Sequence, residues 1–322
     1  MILKRILLIF PILFVVHLLT FWLFFVVNHP DDIARNQLGN RMVTPQDLHI
    51  WKVKHHYNLP LFWNHQKQNA EKVTQTIFFQ ETQGLFSFHF GLSINGKNIN
   101  HEIKNRVLPS LAIALPSFVL GVLLNLVVAC IFVFFRNTHL NYIGLLLSIS
   151  FLSISSLFYI IFSQYFMAYL WKWFPISGYE HGVAAIGFLI LPIITHLLSG
   201  FGSGTRWYRS ILLEEIEQMY VLTARAAGIG EFKILWSYAL RNALLPIVTG
   251  AVILIPSLFM GSILYESFFS IPGLGNYLLD ALQEQDFPVV RTMVFLGSLS
   301  YMLGLILTDL VYEWVDPRVR VR

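Results

Sequence analysis

From Ile6 to Val27 the chain runs for a full bilayer's width without a charged residue, and Lys4 and Arg5 stand just before it. About 20 apolar residues suffice to cross a membrane as a helix. Lipid offers no partner to an unpaired backbone amide, so such a run has little choice but helix. The pattern recurs at about 110–134, 142–170, 183–201, 243–266 and 292–314. Together these runs predict an all-α integral membrane protein of six spans. The run at 142–170 is longer than a span needs, which predicts a tilted helix or one that continues along the outer interface. Composition agrees, with 56% apolar and 12% charged residues, against about a quarter charged in soluble domains.

A cleaved signal peptide is the rival reading of the first run. Its apolar core would be about 7–15 residues and end in small residues. Phe21, Trp22, Phe24 and Phe25 occupy that place, so a retained helix with a cytoplasmic N-terminus is expected. Basic residues mark cytoplasmic loops. Arg136 places the second-to-third connection inside, as do Arg206, Arg209, Arg225, Lys233 and Arg241 for the central loop and Arg318, Arg320 and Arg322 for the tail. The loop with Asp280, Glu284 and Asp286 falls outside. The net charge of +4 is the ordinary excess of such loops and calls for no nucleic acid. Cys130 is the lone cysteine, so no intrachain disulfide can form.

Residues 28–106 are a polar insert, expected on the outer face. Thr44-Pro45-Gln46-Asp47 predicts a helix start, Thr44 capping and Pro45 in the first turn, with an end near Asn58 ahead of Pro60. His49, His55 and His56 fall on that helix. Only His49 and His56 share a face, and no Cys or carboxylate joins them at ligand spacing. A solvated helix accounts for them better than a metal site.

The most distinctive polar stretch is Tyr220–Pro246, YVLTARAAGIGEFKILWSYALRNALLP. It predicts two helices broken at Gly228-Ile229-Gly230. Glu214, Glu215 and Glu217 suit the start of the first helix. Ala224, Ala226 and Ala227 surround Arg225 at its end, and Gly228 can take the left-handed cap. The second helix is expected from Glu231 to Ala243, entering the membrane at Pro246. A small-faced helix end with one cation, tethered to two spans, suits docking into a groove of another protein. An amphipathic helix lying on lipid fits the spacing equally.

TARAAG followed by ALRNALLP resembles the EAA loop of ABC importer permeases, in the form found in dipeptide, oligopeptide and nickel systems. Leu222-Thr223-Ala224 occupies the EAA triplet and Gly228 the family glycine. Met219, Ala227 and Tyr238 stand where Asp, Lys and His are usual, departures that bear on single polar contacts. TRWYRS from Thr205 is similar to the family's R-x-x-R-S. YESFFSIPGLGNYLLDAL…QDFPVV is similar to its E-x-V-F-x-x-P-G-L-G … D-Y-P-V-V, VDPRVR to its L-D-P-R, and HFGLSINGKNINHEIKNRVLPS to the approach to its second span, through Gly91, Ser93, Arg106 and Pro109. The resemblance is collinear over about residues 90–320.

The resemblance divides the chain into a membrane helix (1–27), an external insert (28–106) and a permease core of five membrane helices (107–322) with a coupling loop at about 202–242. It implies docking of an ATPase on Tyr220, Thr223, Ala224, Arg225, Ala226, Ala227 and Gly228. It also implies an outer gate or binding-protein contact at Glu266, Pro272, Gly273, Gly275 and Asp286. The implied partners are a second homologous permease subunit, two cytoplasmic ABC ATPase subunits, an external solute-binding protein and membrane lipid, in a bacterial inner membrane with both termini cytoplasmic. ATP and Mg would sit on the ATPases, with no cofactor on this chain. Cargo would be a di- or oligopeptide, with nickel or an antimicrobial peptide as alternatives.

The sequence has no G-x-x-x-x-G-K-[ST] phosphate loop; Gly202-Ser203-Gly204-Thr205 lacks the lysine. No H-E-x-x-H, G-x-S-x-G or paired-carboxylate catalytic constellation appears either. Asp309 in the last span and Glu266 at the outer end of the fifth keep open a proton- or sodium-coupled secondary transporter. For Asp309 an ion pair with the basic tail is the competing role, and for Glu266 it is gate packing. Asn125, Gln164, His17 and His196 are polar within spans, and interhelical hydrogen bonds are expected of them. Pro272-Gly273 predicts a tight turn with Gly supplying a positive φ, and Asn276 a cap for a short outer helix.

Overall fold

The computed structural model describes residues 2–27, 30–38, 43–54, 57–65, 67, 71–180 and 182–315. Among these no strand forms, and one isolated bridge pairs Leu92 with Asn98. The helices are α1 (Ile2–Trp22), α2 (Pro30–Leu38), α3 (Pro45–Lys54), α4 (Glu71–Thr74), α5 (Ile77–Phe86), α6 (Ile99–Phe134), α7 (His139–Ser153), α8 (Ser156–Ser163), α9 (Ala185–Ile216), α10 (Met219–Ala226), α11 (Glu231–Lys233), α12 (Leu240–Phe259), α13 (Ile263–Phe268), α14 (Leu274–Gln283) and α15 (Phe287–Val315). Turns of π-helix extend α1 and α8 and join α11 to α12.

Five helices are long and apolar enough to cross a membrane, and the pair 139–153 and 156–170 makes a sixth if its two arms count as one span. In place of one tilted helix at 142–170, the chain bends by 90° at Ile154-Ser155. Ser155 caps the second arm, its side chain accepting from the Phe158 amide at 3.4 Å. The fifth span also differs from expectation. Its helix starts at Glu231, where the second helix of the polar stretch is expected to begin, because Gly230 is extended and Ile234 and Leu235 are already buried, but its far end falls short of 266. It ends at Phe259, so Glu266 lies on the separate helix α13.

The chain divides into two compact units, 1–104 with 280–299, and 105–279 with 300–322. The first is built around aromatic packing. Phe21 is fully buried, 4.6 Å between ring centres from Phe25 and about edge-on to Phe62 and Phe78 at 5.2 and 5.1 Å. Such pairs stabilise beyond the area they bury. His17 meets the Thr82 hydroxyl at 2.9 Å. α3 begins as expected: the Asp47 amide donates to Thr44 Oγ1 at 3.3 Å, and Thr44 Oγ1 donates to Asp47 Oδ2 at 2.6 Å. It ends at Lys54, earlier than Asn58. His49 stands on it, while His55 and His56 lie outside the described residues. Among the described residues no three His, Cys, Asp or Glu gather as metal ligands.

In the second unit, α6, α9 and the helix Glu231–Phe259 bury a shared core of Val133, Leu212, Ala239 and Ala243. Small residues allow close approach. A β-carbon on Gly202 would lie 2.4 Å from the Ser148 carbonyl, and one on Gly204 2.4 Å from Asn125 Nδ2. Two more of the polar span residues bond across elements, as expected: Asn125 Oδ1 accepts from Thr205 at 2.9 Å and Gln164 donates to the Phe268 carbonyl at 2.9 Å. His196 departs from the expectation: it stacks on Tyr265, and its buried Nδ1 has no hydrogen-bond partner among the described residues. Asp309 lies within α15, and the basic tail expected beside it, with the V-D-P-R motif, lies outside the described residues.

Candidate functional site

The stretch singled out in the sequence folds as an elbow between α9 and the fifth span. α9 runs unbroken to Ile216, so Glu214, Glu215 and Glu217 close that helix and do not open the next. The acidic cluster suited a helix start, but the apolar pattern through Ile211, Leu212 and Ile216 carries the preceding helix past it. α10 starts instead at Met219 after an extended Gln218. The Tyr220 hydroxyl donates back to Glu215.

The end of α10 is a Schellman closure. The Gly228 amide donates to the Arg225 carbonyl at 2.9 Å and the Ile229 amide to the Ala224 carbonyl at 3.1 Å. Gly228 has φ +78°, the left-handed conformation expected of it. Ile229 then folds onto Val221, Ala224 and Ile234, and this small core fixes the elbow angle.

The seven residues carried over by resemblance separate by face. Thr223, Ala226, Ala227 and Gly228 are exposed. Tyr220 and Arg225 are half-buried, and Ala224 is turned into the elbow core. Met219, Leu222, Thr223 and Ala226 follow the i, i+3, i+4, i+7 spacing of one helix face, and all four are exposed, Met219 at 77%. The outward face of α10 is therefore uncharged.

Arg225 has a partner inside the chain. Its Nε donates to Glu231 Oε1 at 2.5 Å, and Arg136 donates to Glu231 Oε2 at 3.0 Å. Arg209 and the Arg136 carbonyl both engage Asn141. Glu231 thus joins α10, the connection after α6 and the start of the fifth span. Sequence reading missed this clamp, because Arg225 and Glu231 sit on different helices across a glycine break and no helical spacing relates them.

At the other end of the fifth span lies a second constellation. Glu266 is 1% exposed. Its Oε1 accepts from Ser110 Oγ at 2.8 Å and the Ser262 amide at 3.0 Å, and its Oε2 accepts from the Asn276 amide at 3.0 Å. The Gly275 amide donates as well. Burial pushes the Glu266 carboxyl above its ordinary value, and these bonds pull the other way. Ser110 Oγ also accepts from the Leu274 amide at 2.7 Å. Gly273 and Gly275 wrap this carboxylate. Of the glycines around this carboxylate, Gly261 has positive φ and Gly273 does not, so the expected reason for Gly273 is replaced by crowding: a β-carbon there would lie 2.2 Å from Glu266 Oε2. Pro272 precedes it in the turn. Asn276 donates to Glu266 from within the first turn of α14 and does not cap it.

Asp286, grouped with these by resemblance, belongs to the first unit. It is buried and caps α15, accepting from the Val289 amide at 3.3 Å, the Ile94 amide at 3.2 Å and the Ser93 hydroxyl. Burial raises its carboxyl above the ordinary value.

Residues 105–321 match the family described as binding-protein-dependent transport system inner membrane component. A dipeptide transport system permease protein of Bacillus subtilis (strain 168) is 29% identical over 77% of this chain and 80% of its own length. One of Lactococcus lactis subsp. cremoris (strain MG1363) is 29% identical over 99% of each chain. A putative peptide transport system permease protein of Brucella abortus (strain 2308) is 28% identical over 99% of this chain and 98% of its own.

Proposed function

The chain belongs to the family of binding-protein-dependent transport system inner membrane components, and from that premise we propose that it carries di- or oligopeptides, the cargo class in the names of its relatives. It is a multi-pass inner membrane protein and the permease subunit of an ABC importer, a component that works with ATPase and binding-protein partners and is not itself catalytic. The finer assignments are ours. One of two ATPases docks on the exposed face of α10, the other on the matching loop of a second homologous permease that completes the pathway, and ATP and Mg stay on the ATPases. The N-terminus, the Arg136 connection and the elbow face the cytoplasm.

The observation that carries this reading is the elbow: a short helix with an uncharged exposed face, closed by Gly228 and clamped by Glu231, between two membrane-length helices. Such a unit transmits a push because its angle is fixed by packing and hydrogen bonds. Membrane vesicles holding the whole importer test it. Peptide uptake should persist with an uncoupler while ATP lasts, and the purified permease alone should bind no ATP. Uptake that collapses with the proton gradient at constant ATP would instead indicate a secondary transporter.

A further inference from the structure

The first unit holds a cavity of about 620 Å³, within the range of small-molecule sites, roughly 300–1,000 Å³. Its walls include Lys54 at the end of α3, Tyr57, Glu81 from α5, Phe90 and Asn95 from the loop before α6, and Arg291 from α15. Arg291 is 6% exposed and pairs with Glu81 through one terminal nitrogen. Its Nε is buried with no hydrogen-bond partner among the described residues. A buried guanidinium normally has its donors satisfied, so this one has bonding capacity left over. Lys54 is exposed at the wall and adds a second cation. The Glu81 carboxylate supplies the opposite sign, and Leu85 and Phe90 supply apolar lining. A cavity lined by two cations and a carboxylate, apolar in part, matches a small molecule that carries both charges.

We propose that this cavity binds a short zwitterionic peptide, its C-terminal carboxylate between Lys54 and Arg291 and its N-terminal ammonium toward Glu81. The inference rests on the peptide reading of the cargo and on the insert facing outward. It adds a holding site on the permease itself, separate from the partner that delivers the cargo. Arg and Lys both suit a carboxylate here, Arg through the guanidinium donors its Glu81 pair leaves over and Lys as a compact charge.

The test uses the full permease–ATPase complex in nanodiscs without the binding protein. Equilibrium dialysis with labelled dialanine should show saturable binding, one peptide per copy of this chain. Dialanine amide should bind about tenfold more weakly, the scale of one lost charge-assisted hydrogen bond. Lys54→Ala, on an exposed side chain, should give a similar loss with thermal stability and ATPase association unchanged. Arg291→Lys should also weaken binding, and if it fails to fold, Lys54→Ala decides. Absent saturation, equal binding of the amide, an unaffected Lys54→Ala variant, or inorganic phosphate competing as well as the peptide would each overturn the proposal. Uptake by the complete importer separates the two readings. Dialanine uptake without dialysis binding removes the cavity site and leaves the cargo class. Dialysis binding without uptake of any peptide keeps the site and removes the cargo class.

Discussion

The fifth span, Glu231–Phe259, has a glycine-dependent structure at each end, and the two depend on glycine for opposite reasons. At about 1.5 Å per residue the helix is roughly 40 Å long, so the ends are a membrane's thickness apart. At the Glu231 end, Gly228 is required by its backbone: φ is +78° and nothing lies within 4 Å of where a β-carbon would be. At the Phe259 end, Gly273 and Gly275 are required by their surroundings, with an ordered carboxylate and backbone atoms inside contact distance. One end is an elbow closed by hydrogen bonds and open to solvent. The other is a sealed knot around a buried charge. Strain at the first should mis-aim a surface, while a clash at the second should unmake the fold around it.

The largest effect is therefore expected from Gly273→Ala. The added carbon meets Glu266 Oε2 and, at 2.6 Å, Ser110 Oγ. Overpacking costs about 1–3 kcal/mol, and each buried partner displaced from the carboxylate adds about 1–3 kcal/mol. Membrane abundance and thermal stability should both fall sharply. Glu266→Ala should also be severe, since it strands the Ser262 and Asn276 amides. The double variant should lose less than the sum, because the first clash is with the group the second removes. Additive losses would show that crowding is not what makes Gly273 necessary.

Gly228→Val comes next. A left-handed residue with a β-carbon bears about 1–2 kcal/mol of strain, and here no clash is added. Membrane insertion and abundance should stay normal, while ATPase pull-down or coupling of hydrolysis to uptake fails. Gly228→Asn should be milder, since Asn tolerates this conformation. Normal assembly and uptake in the Val variant would remove the elbow from the mechanism.

The contrast also marks what the sequence could show. Apolar runs announced the spans because lipid imposes helix on any such run, and Gly228 was legible because a small-residue helix end followed by G-x-G has few conformations open to it. The break at Ile154-Ser155 was written only as a serine cluster inside an apolar run, which hydropathy does not register. Gly273 was identified as important but explained by turn geometry. Its true constraint is a carboxylate seven residues earlier, which contact reveals and local pattern does not. Arg225 read as the one cation of a docking surface, and its partner Glu231 stood across the break. Ser110, which completes the Glu266 knot, lies 156 positions away in the chain, beyond any local pattern.

A smaller effect is expected at the Glu231 clamp. Arg225 and Glu231 are partly exposed, at 30% and 42% of their side chains, and pairs of this kind give about 0–1 kcal/mol. Arg225→Ala and Arg136→Ala should each lower thermal stability slightly and leave abundance intact. Glu231→Ala removes both pairs and should equal or exceed their sum. If Arg225→Ala alone abolished ATPase association while Glu231→Ala did not, Arg225 would be acting on the partner and the clamp would be incidental.

The smallest effect separates the two ends by pH. Glu266 lies outside the spans, and burial holds its carboxyl above the ordinary value against the bonds that favour the ionised form. A carboxyl raised on folding takes up its proton at a higher pH in the native state than in the unfolded chain. Its contribution is fully present below the unfolded value, about 4.3, and is lost as pH rises through the folded one. Thermal stability of the detergent-solubilised protein should therefore rise slightly as pH falls from 7 toward 5. Glu266→Gln cannot titrate and should flatten that part of the slope, although it lowers stability throughout by turning an amide group toward N–H donors. Gly228→Asn adds no titrating group and should keep the wild-type slope. A slope of the opposite sign, or one unchanged in Glu266→Gln, would place the titrating group elsewhere and leave crowding of Gly273 as the only distinction between the two ends.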